Sequence, residues 1–212
     1  MNKNYHPAFD TVSVAIFSTL ILVFGVFLSN RADTPWTFVA FYMVTLTVAV
    51  LYVKARAGLM PSISWKEMGV IRPNWESLAY GIAGGLLTYG IGLALLVLDY
   101  YPAQQHKIHG ATDWLAIAPL LLGTLLQVTA EEILFRGYLF SRLNRQVGLP
   151  IAIAVSSILF GILHAPYVLG PTIYGLIFAW MFLRTKNILA PIIAHFLHNG
   201  TLTLLTLEFA LR

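Results

Sequence analysis

Cysteine is absent from all 212 residues, so disulfides, thiolate metal sites and a cysteine nucleophile are excluded by inventory alone. Charge is scarce too: Asp, Glu, Lys and Arg together make up 10% of the chain, against about a quarter in a soluble domain. The thirteen Lys and Arg are scattered among the loops. They form no dense basic stripe, which removes nucleic acid from the expected partners. No internal repeat and no low-complexity tract is present, which argues against an inverted-repeat transporter. No His-Glu-x-x-His pair occurs, so the local zinc signature is missing.

Apolar residues fill the space that charge leaves. Hydrophobic side chains make up 58% of the chain, and the mean hydropathy is +0.76. Apolar stretches near twenty residues long recur, and a helix crosses the ~30 Å hydrocarbon core in about 20 residues. The expected fold class is therefore all-α, a multi-pass transmembrane helix bundle of about seven spans, six to eight, surrounded by lipid bilayer. The spans fall near 10–29, 36–53, 77–98, 114–135, 150–165, 170–184 and 188–207. The first stretch ends at Leu28 to Arg31 without a small-residue cleavage site and reads as a retained helix. The connection from Lys54 to Glu76 is the longest polar one and is expected on the membrane surface, with Trp65 and Trp75 in the interface belt. Gly81 and Gly85 form a small-xxx-small pair, which reads as close helix packing.

In a seven-span arrangement ten Lys and Arg fall on one side, from Lys3 to Lys186, and three on the other, Arg31, Lys107 and Arg212. Cytoplasmic loops carry the positive excess. The expectation is a bacterial plasma-membrane protein with a cytoplasmic N-terminus and an external C-terminus.

The informative segment is Ala130-Glu131-Glu132-Ile133-Leu134-Phe135-Arg136-Gly137, following an apolar run. An acidic residue at the centre of a membrane helix costs ~2.5–3.5 kcal/mol by insertion scales, less toward the ends. Two adjacent ones need something to offset that cost. Glu132 and Arg136 are four apart with the acid first, the favourable ion-pair orientation on one helix face. Glu131 is turned about 100° away, which makes it the better candidate for a reactive carboxylate. The plainer reading places both acids at the interface as solvated helix-end charges.

Further along, Phe160-Gly161-Ile162-Leu163-His164 closes the fifth span, and His195-Phe196-Leu197-His198-Asn199 lies in the last. Alone, His164 reads first as a packed, hydrogen-bonded side chain. His195 and Asn199 are one turn apart and share a face; His198 lies near that face, and spacing does not decide which histidine points inward. His6, His106 and His109 sit in polar segments and read as surface residues, and Asp99 and Asp113 as solvated helix ends. Together, three spans supply a carboxylate, an imidazole, and an imidazole with a carboxamide. A carboxylate withdrawn from water can act as general base with a histidine orienting the water. His195 and Asn199 can donate to a developing oxyanion, commonly worth ~3–4 kcal/mol per donor. The kit suits hydrolysis of an acyl or peptide bond.

Glu131-Glu132-x-x-x-Arg136, Phe160-x-x-x-His164 and His195-x-x-x-Asn199, in that order on successive apolar spans, resemble the CPBP family, the CaaX protease and bacteriocin-processing, Abi/Rce1-like intramembrane proteases. The resemblance covers about residues 114–207. Hydropathy and the charge count make residues 1–76 N-terminal membrane helices with a cytoplasmic surface loop, a part that matches nothing in the family pattern, and residues 77–212 are read as the CPBP/Abi-like catalytic helical core of one integrated membrane domain. The resemblance implies that Glu131 and His164 activate water, that His195 and Asn199 form the oxyanion hole, and that Glu132, Arg136 and Phe160 shape the site. The implied substrate is a membrane-embedded or lipid-anchored peptide or protein, and the implied mechanism is glutamate-type without a cofactor.

Three other readings stay open at this point. Glu131, His164 and His195 are three possible zinc ligands with a fourth position left to water. The same fold can serve as a non-catalytic membrane immunity or scaffold protein, for which Glu131→Gln would leave function intact. Buried Glu and His can also form a transporter's proton relay. The rhomboid-like Gly-x-Ser-Gly and the aspartyl Gly-x-Gly-Asp elements are both missing. Substrate identity and oligomeric state have no signature in the chain.

Overall fold

The sequence's strongest periodic signal, long apolar helices interrupted by Gly, Pro and Asn, sets the architecture. The structure, a computed structural model, describes residues 7–29, 34–59, 63–98 and 114–210. His6, Asp99, His106, His109 and Asp113 lie outside the described residues, as do Lys3, Arg31, Lys107 and Arg212 of the charge count. Among the described residues there is no strand. The helices are α1 (Pro7–Ser29), α2 (Pro35–Leu59), α3 (Trp75–Val97), α4 (Ile117–Val147), α5 (Leu149–Ile162), α6 (Leu169–Thr185) and α7 (Leu189–Ala210). Pro35–Arg56, Trp75–Val97 and Ile117–Val147 are long and apolar enough to cross a membrane; the apolar stretches in α1, α5 and α7 are shorter.

Local chemistry places the boundaries. Asn74 opens α3 through a reciprocal cap: its Oδ1 accepts from Ser77 N at 2.7 Å, and Ser77 Oγ accepts from Asn74 N at 3.3 Å, satisfying two end donors at once. Gly148, at φ 83°, separates α4 from α5, which carries a proline in its first turn. Lys186 turns left-handed at φ 52° after α6, and Asn187 Oδ1 accepts from Leu189 N at 2.9 Å to start α7. Each break falls where backbone donors or acceptors would otherwise go unpaired.

Two boundaries correct the hydropathy reading. The stretch expected to end at residue 135 continues to Val147, through eight residues, Ile133–Phe140, wound as a wider π-helical turn. Every one of those eight residues is buried. Arg136 and Arg142 are packed among helices instead of lipid, so the fall in hydropathy marks an interior site and not a helix end. The fifth stretch, expected to reach 165, stops at Ile162, which puts His164 in the turn beyond α5.

The core is continuous from the first helix to the last. Leu22 of α1, Ala49 and Val53 of α2, Leu134 and Phe135 of α4, Phe160 of α5, Phe178 of α6 and Ala194 of α7 belong to one buried cluster. Helices α3 and α7 approach closely because Gly81 and Gly85 carry no Cβ: one added there would fall 2.7 Å from Ile193 and 2.8 Å from Leu197. That is helix packing by small residues.

The connection before α3 closes one end of the bundle. Met68 is wholly buried, Trp65 and Trp75 are exposed, and Gly69, at φ 75°, accepts from Ile188 N at 2.9 Å through its carbonyl. Asn187 Nδ2 donates to the Arg72 carbonyl at 3.2 Å, and Glu67 pairs with Arg145. The strap thus ties the end of α4 to the start of α7. Those are the two helices that bring the carboxylates and His195 together.

Candidate active site

Glu131 and Glu132 lie in α4 immediately before its π-helical turn, and His195 and Asn199 lie on the facing side of α7. Both carboxylates are buried, at 5% and 0% exposure, which rules out the reading of solvated helix-end charges. Glu132 Oε1 accepts from Arg136 Nη1 at 3.1 Å and lies 2.8 Å from His195 Nδ1. Glu131 Oε1 accepts from Gln127 Nε2 at 3.0 Å, and its Oε2 stands 3.8 Å from His195 Nε2. One imidazole therefore addresses both acids, one at each ring nitrogen.

Hydrogen-bond logic assigns the tautomers. An ionised carboxylate only accepts, so the 2.8 Å bond to Glu132 puts a proton on His195 Nδ1. In the neutral ring Nε2 then holds a lone pair, and Asn199 Nδ2, at 3.1 Å, donates to it. The same argument applies to His164: its Nδ1 lies 2.7 Å from the Phe160 carbonyl, which can only accept. His164 therefore presents Nε2 as a base when neutral.

Electrostatics explain how a buried arginine is tolerated. Arg136, 1% exposed, spends one Nη on Glu132, and its guanidinium carbon sits 4.2 Å from the Phe160 ring centroid and 5.2 Å from that of Phe178. Desolvated cation–π contacts of this kind are worth about 2 kcal/mol. With both acids ionised, Glu131, Glu132 and Arg136 sum to one negative charge. One added proton on His195 neutralises the cluster and turns Nε2 into a donor. Glu131 Oε2, Glu132 Oε2 and Arg136 Nη2 are buried without a hydrogen-bond partner, so the pocket has spare polar capacity for a bound water or an amide group.

Phe160 joins the parts. Its ring is edge-on to His195 at 5.6 Å and 4.6 Å from His164. His164, half-buried on its turn, adjoins the cluster through that ring and not by a hydrogen bond to either carboxylate. His198, the competing histidine of α7, turns away: it packs on Tyr174 at 4.4 Å and faces Gly92 of α3, where an added Cβ would fall 3.1 Å from its ring.

Two neighbours escaped the sequence reading. Gln127, four residues before Glu131 on the same face, was visible as a polar side chain inside an apolar run. Phe178 stacks on His195 at 5.0 Å and 28°, and nothing in the sequence separates it from the other twelve phenylalanines. Among the described residues, no group of three or more His, Asp or Glu side chains converges as a metal site. Glu131, His164 and His195, the zinc alternative, form no such group in this arrangement.

Residues 113–201 match the model of the Rce1-like family, type II CAAX prenyl endopeptidase Rce1-like, and that interval contains every site residue named above. The membrane peptidase YdiL of Bacillus subtilis (strain 168) is 28% identical over 231 aligned residues, covering 98% of this chain and 91% of that protein. The membrane-embedded CAAX protease MroQ of Staphylococcus aureus (strain USA300) is 25% identical over 214 residues, covering 88% of this chain and 86% of that protein. No solved structure matches.

Proposed function

We propose that the chain is an intramembrane endopeptidase of the CPBP type acting through glutamate-activated water, a reading supported by the Rce1-like match over residues 113–201 and by the two membrane-protease relatives at 28% and 25% identity. The observation that carries this reading is the placement of His195 between two buried carboxylates, 2.8 Å from Glu132 and 3.8 Å from Glu131, with Asn199 on its free nitrogen. In this reaction Glu131 takes a proton from a water whose oxygen forms a bond to the scissile carbonyl carbon, with His164 Nε2 orienting that water. Asn199 Nδ2 donates to the oxyanion, and His195 joins it as the imidazolium formed when Nε2 takes a proton from solvent before the water attacks, which releases the Asn199 N–H from that nitrogen. The C–N bond then breaks as the proton passes from Glu131 to the leaving amine. Glu132 and Arg136 hold His195 in place and do not exchange protons with substrate.

The proposed mechanism uses no metal, a reading supported by the lack of three converging His, Asp or Glu side chains among the described residues. Chelation should leave hydrolysis intact; its complete loss, restored by added zinc, would overturn that part. The proposed substrate is a membrane-embedded or lipid-anchored peptide cut near the cytoplasmic face, with the N-terminus of the enzyme cytoplasmic and its C-terminus external. Support for the side comes from the charge asymmetry of the loops.

The test compares new protein N-termini in membranes holding the wild type or Glu131→Gln at equal abundance. Termini unique to the wild type are expected and would name substrates. Identical termini, with a physiological phenotype intact in the variant, would replace the enzyme by a non-catalytic immunity or scaffold protein.

A further inference from the structure

We propose that the groove between α3 and α6 is a binding site for an anionic phospholipid of the surrounding leaflet. The groove holds about 450 Å³ and its lining is almost wholly apolar, with Tyr80, Ala83, Gly84 and Leu87 of α3 facing Ile177 and Trp180 of α6. The four α3 positions follow the i, i+3, i+4, i+7 spacing of one helix face and extend roughly 10 Å along the axis at 1.5 Å per residue. The floor is closed: a Cβ at Gly84 would lie 2.2 Å from Met181 Sδ. A shallow trough open to the side suits an acyl chain.

Its surface end is charged. Arg184 Nε donates to Tyr80 Oη at 3.1 Å, which fixes the guanidinium over the mouth while using only one of its donors. The Nη groups remain for the bidentate hold on a phosphate that arginine geometry favours. Lys186 is exposed two residues on, and the Asn187 side chain holds the Arg72 backbone beside the same turn. Glu76, in the first turn of α3, is the acid that faces Arg184. Exposed Trp180 lines the site and meets Tyr80 edge-on at 5.5 Å. Indoles of this kind sit at headgroup level. Cations at the mouth, an aromatic collar and an apolar trough running inward reproduce the polarity order of a phospholipid. This site stands apart from the carboxylate cluster and does not depend on the hydrolytic reading.

The experiment uses the full chain in phosphatidylcholine nanodiscs doped with phosphatidylglycerol carrying a photoactivatable acyl chain, the labelled peptides being read by mass spectrometry. Labelling is expected within residues 80–87 and 176–181. Phosphatidylglycerol should exceed an equally photoactivatable phosphatidylcholine about fivefold, the preference that one surface Arg contributes. Arg184→Gln should remove that preference, and Ala83→Trp should abolish labelling by filling the trough. Leu86→Trp, exposed on the same helix but outside the groove, should change neither. Ala83 and Arg184 are themselves exposed, so gel filtration is expected to show all three variants folded. Equal labelling by the two lipids, or labelling indifferent to Ala83→Trp, would overturn the proposal. So would crosslinks from the groove to a second copy or another chain.

Discussion

Glu132 holds His195 and Arg136 with the same oxygen: its Oε1 is 2.8 Å from His195 Nδ1 and 3.1 Å from Arg136 Nη1. This makes Glu132 the structural carboxylate and leaves Glu131 for chemistry. Breaking a buried ion pair on one side costs about 3–5 kcal/mol, because the remaining charge stays buried. Glu132→Gln should therefore lower the thermal unfolding temperature in detergent sharply and reduce accumulation. Glu131→Gln should accumulate normally and lose turnover by at least about a hundredfold, the low end for a general base. Equal unfolding temperatures for the two variants would reverse the assignment.

Asn199 carries two carboxamide N–H groups, and only one is engaged by His195 Nε2 at 3.1 Å. The other is available to an oxyanion. Asn199→Ala should lower kcat by about 10²–10³, the usual loss for one such donor, with KM little changed. A rise in KM at constant kcat would instead make Asn199 a substrate-binding group.

Gln127 is a positioning residue: it fixes Glu131 Oε1 at 3.0 Å from the side opposite His195. Gln127→Leu removes a hydrogen bond to a charged group, worth about 1.5 kcal/mol of stability at the low end, so the unfolding temperature should fall by only a few degrees, while the loosened carboxylate should lower kcat about tenfold. Gln127→Asn, too short to reach, should behave like leucine. If the leucine variant lost stability while keeping its kcat, Gln127 would be a packing residue.

Much of this site was legible because membrane helices make polar residues conspicuous. Glu131, Glu132, Arg136, His195 and Asn199 stood out against apolar neighbours, and helical spacing paired Glu132 with Arg136, as the 3.1 Å contact confirms. The π-helical turn was not legible, since eight mostly apolar residues carry no pattern that distinguishes i+5 from i+4 bonding. Hydropathy also ended α4 early, because it scores Arg136 as if lipid surrounded it, whereas Phe160 and Phe178 do. The choice between His195 and His198 depended on Tyr174 and Gly92, residues from other helices that no local spacing brings into view. The strap contacts of Met68 and Gly69 are tertiary in the same sense.

The strap offers the clearest pH dependence, because it lies outside the spans. Glu67 has its carboxyl held below the ordinary glutamate range, first by the Ser64 backbone N–H at 2.7 Å, then by the Ser64 hydroxyl at 2.9 Å and by Arg145. A depressed carboxylate stabilises its surroundings fully above the ordinary glutamate value, about 4.3, and that contribution is lost as pH falls through the lower folded value. Glu67 is exposed, so the effect is local strap opening and not global unfolding. Amide protection of residues 63–72, corrected for intrinsic exchange, should be flat from neutral pH down to that range and then fall. Glu67→Gln should lower protection at neutral pH and erase the step, whereas Arg145→Gln should keep most of it, because Ser64 contributes first. A step that survives Glu67→Gln would assign the opening to another group, and one erased by Arg145→Gln alone would make the ion pair, not the Ser64 cap, the latch.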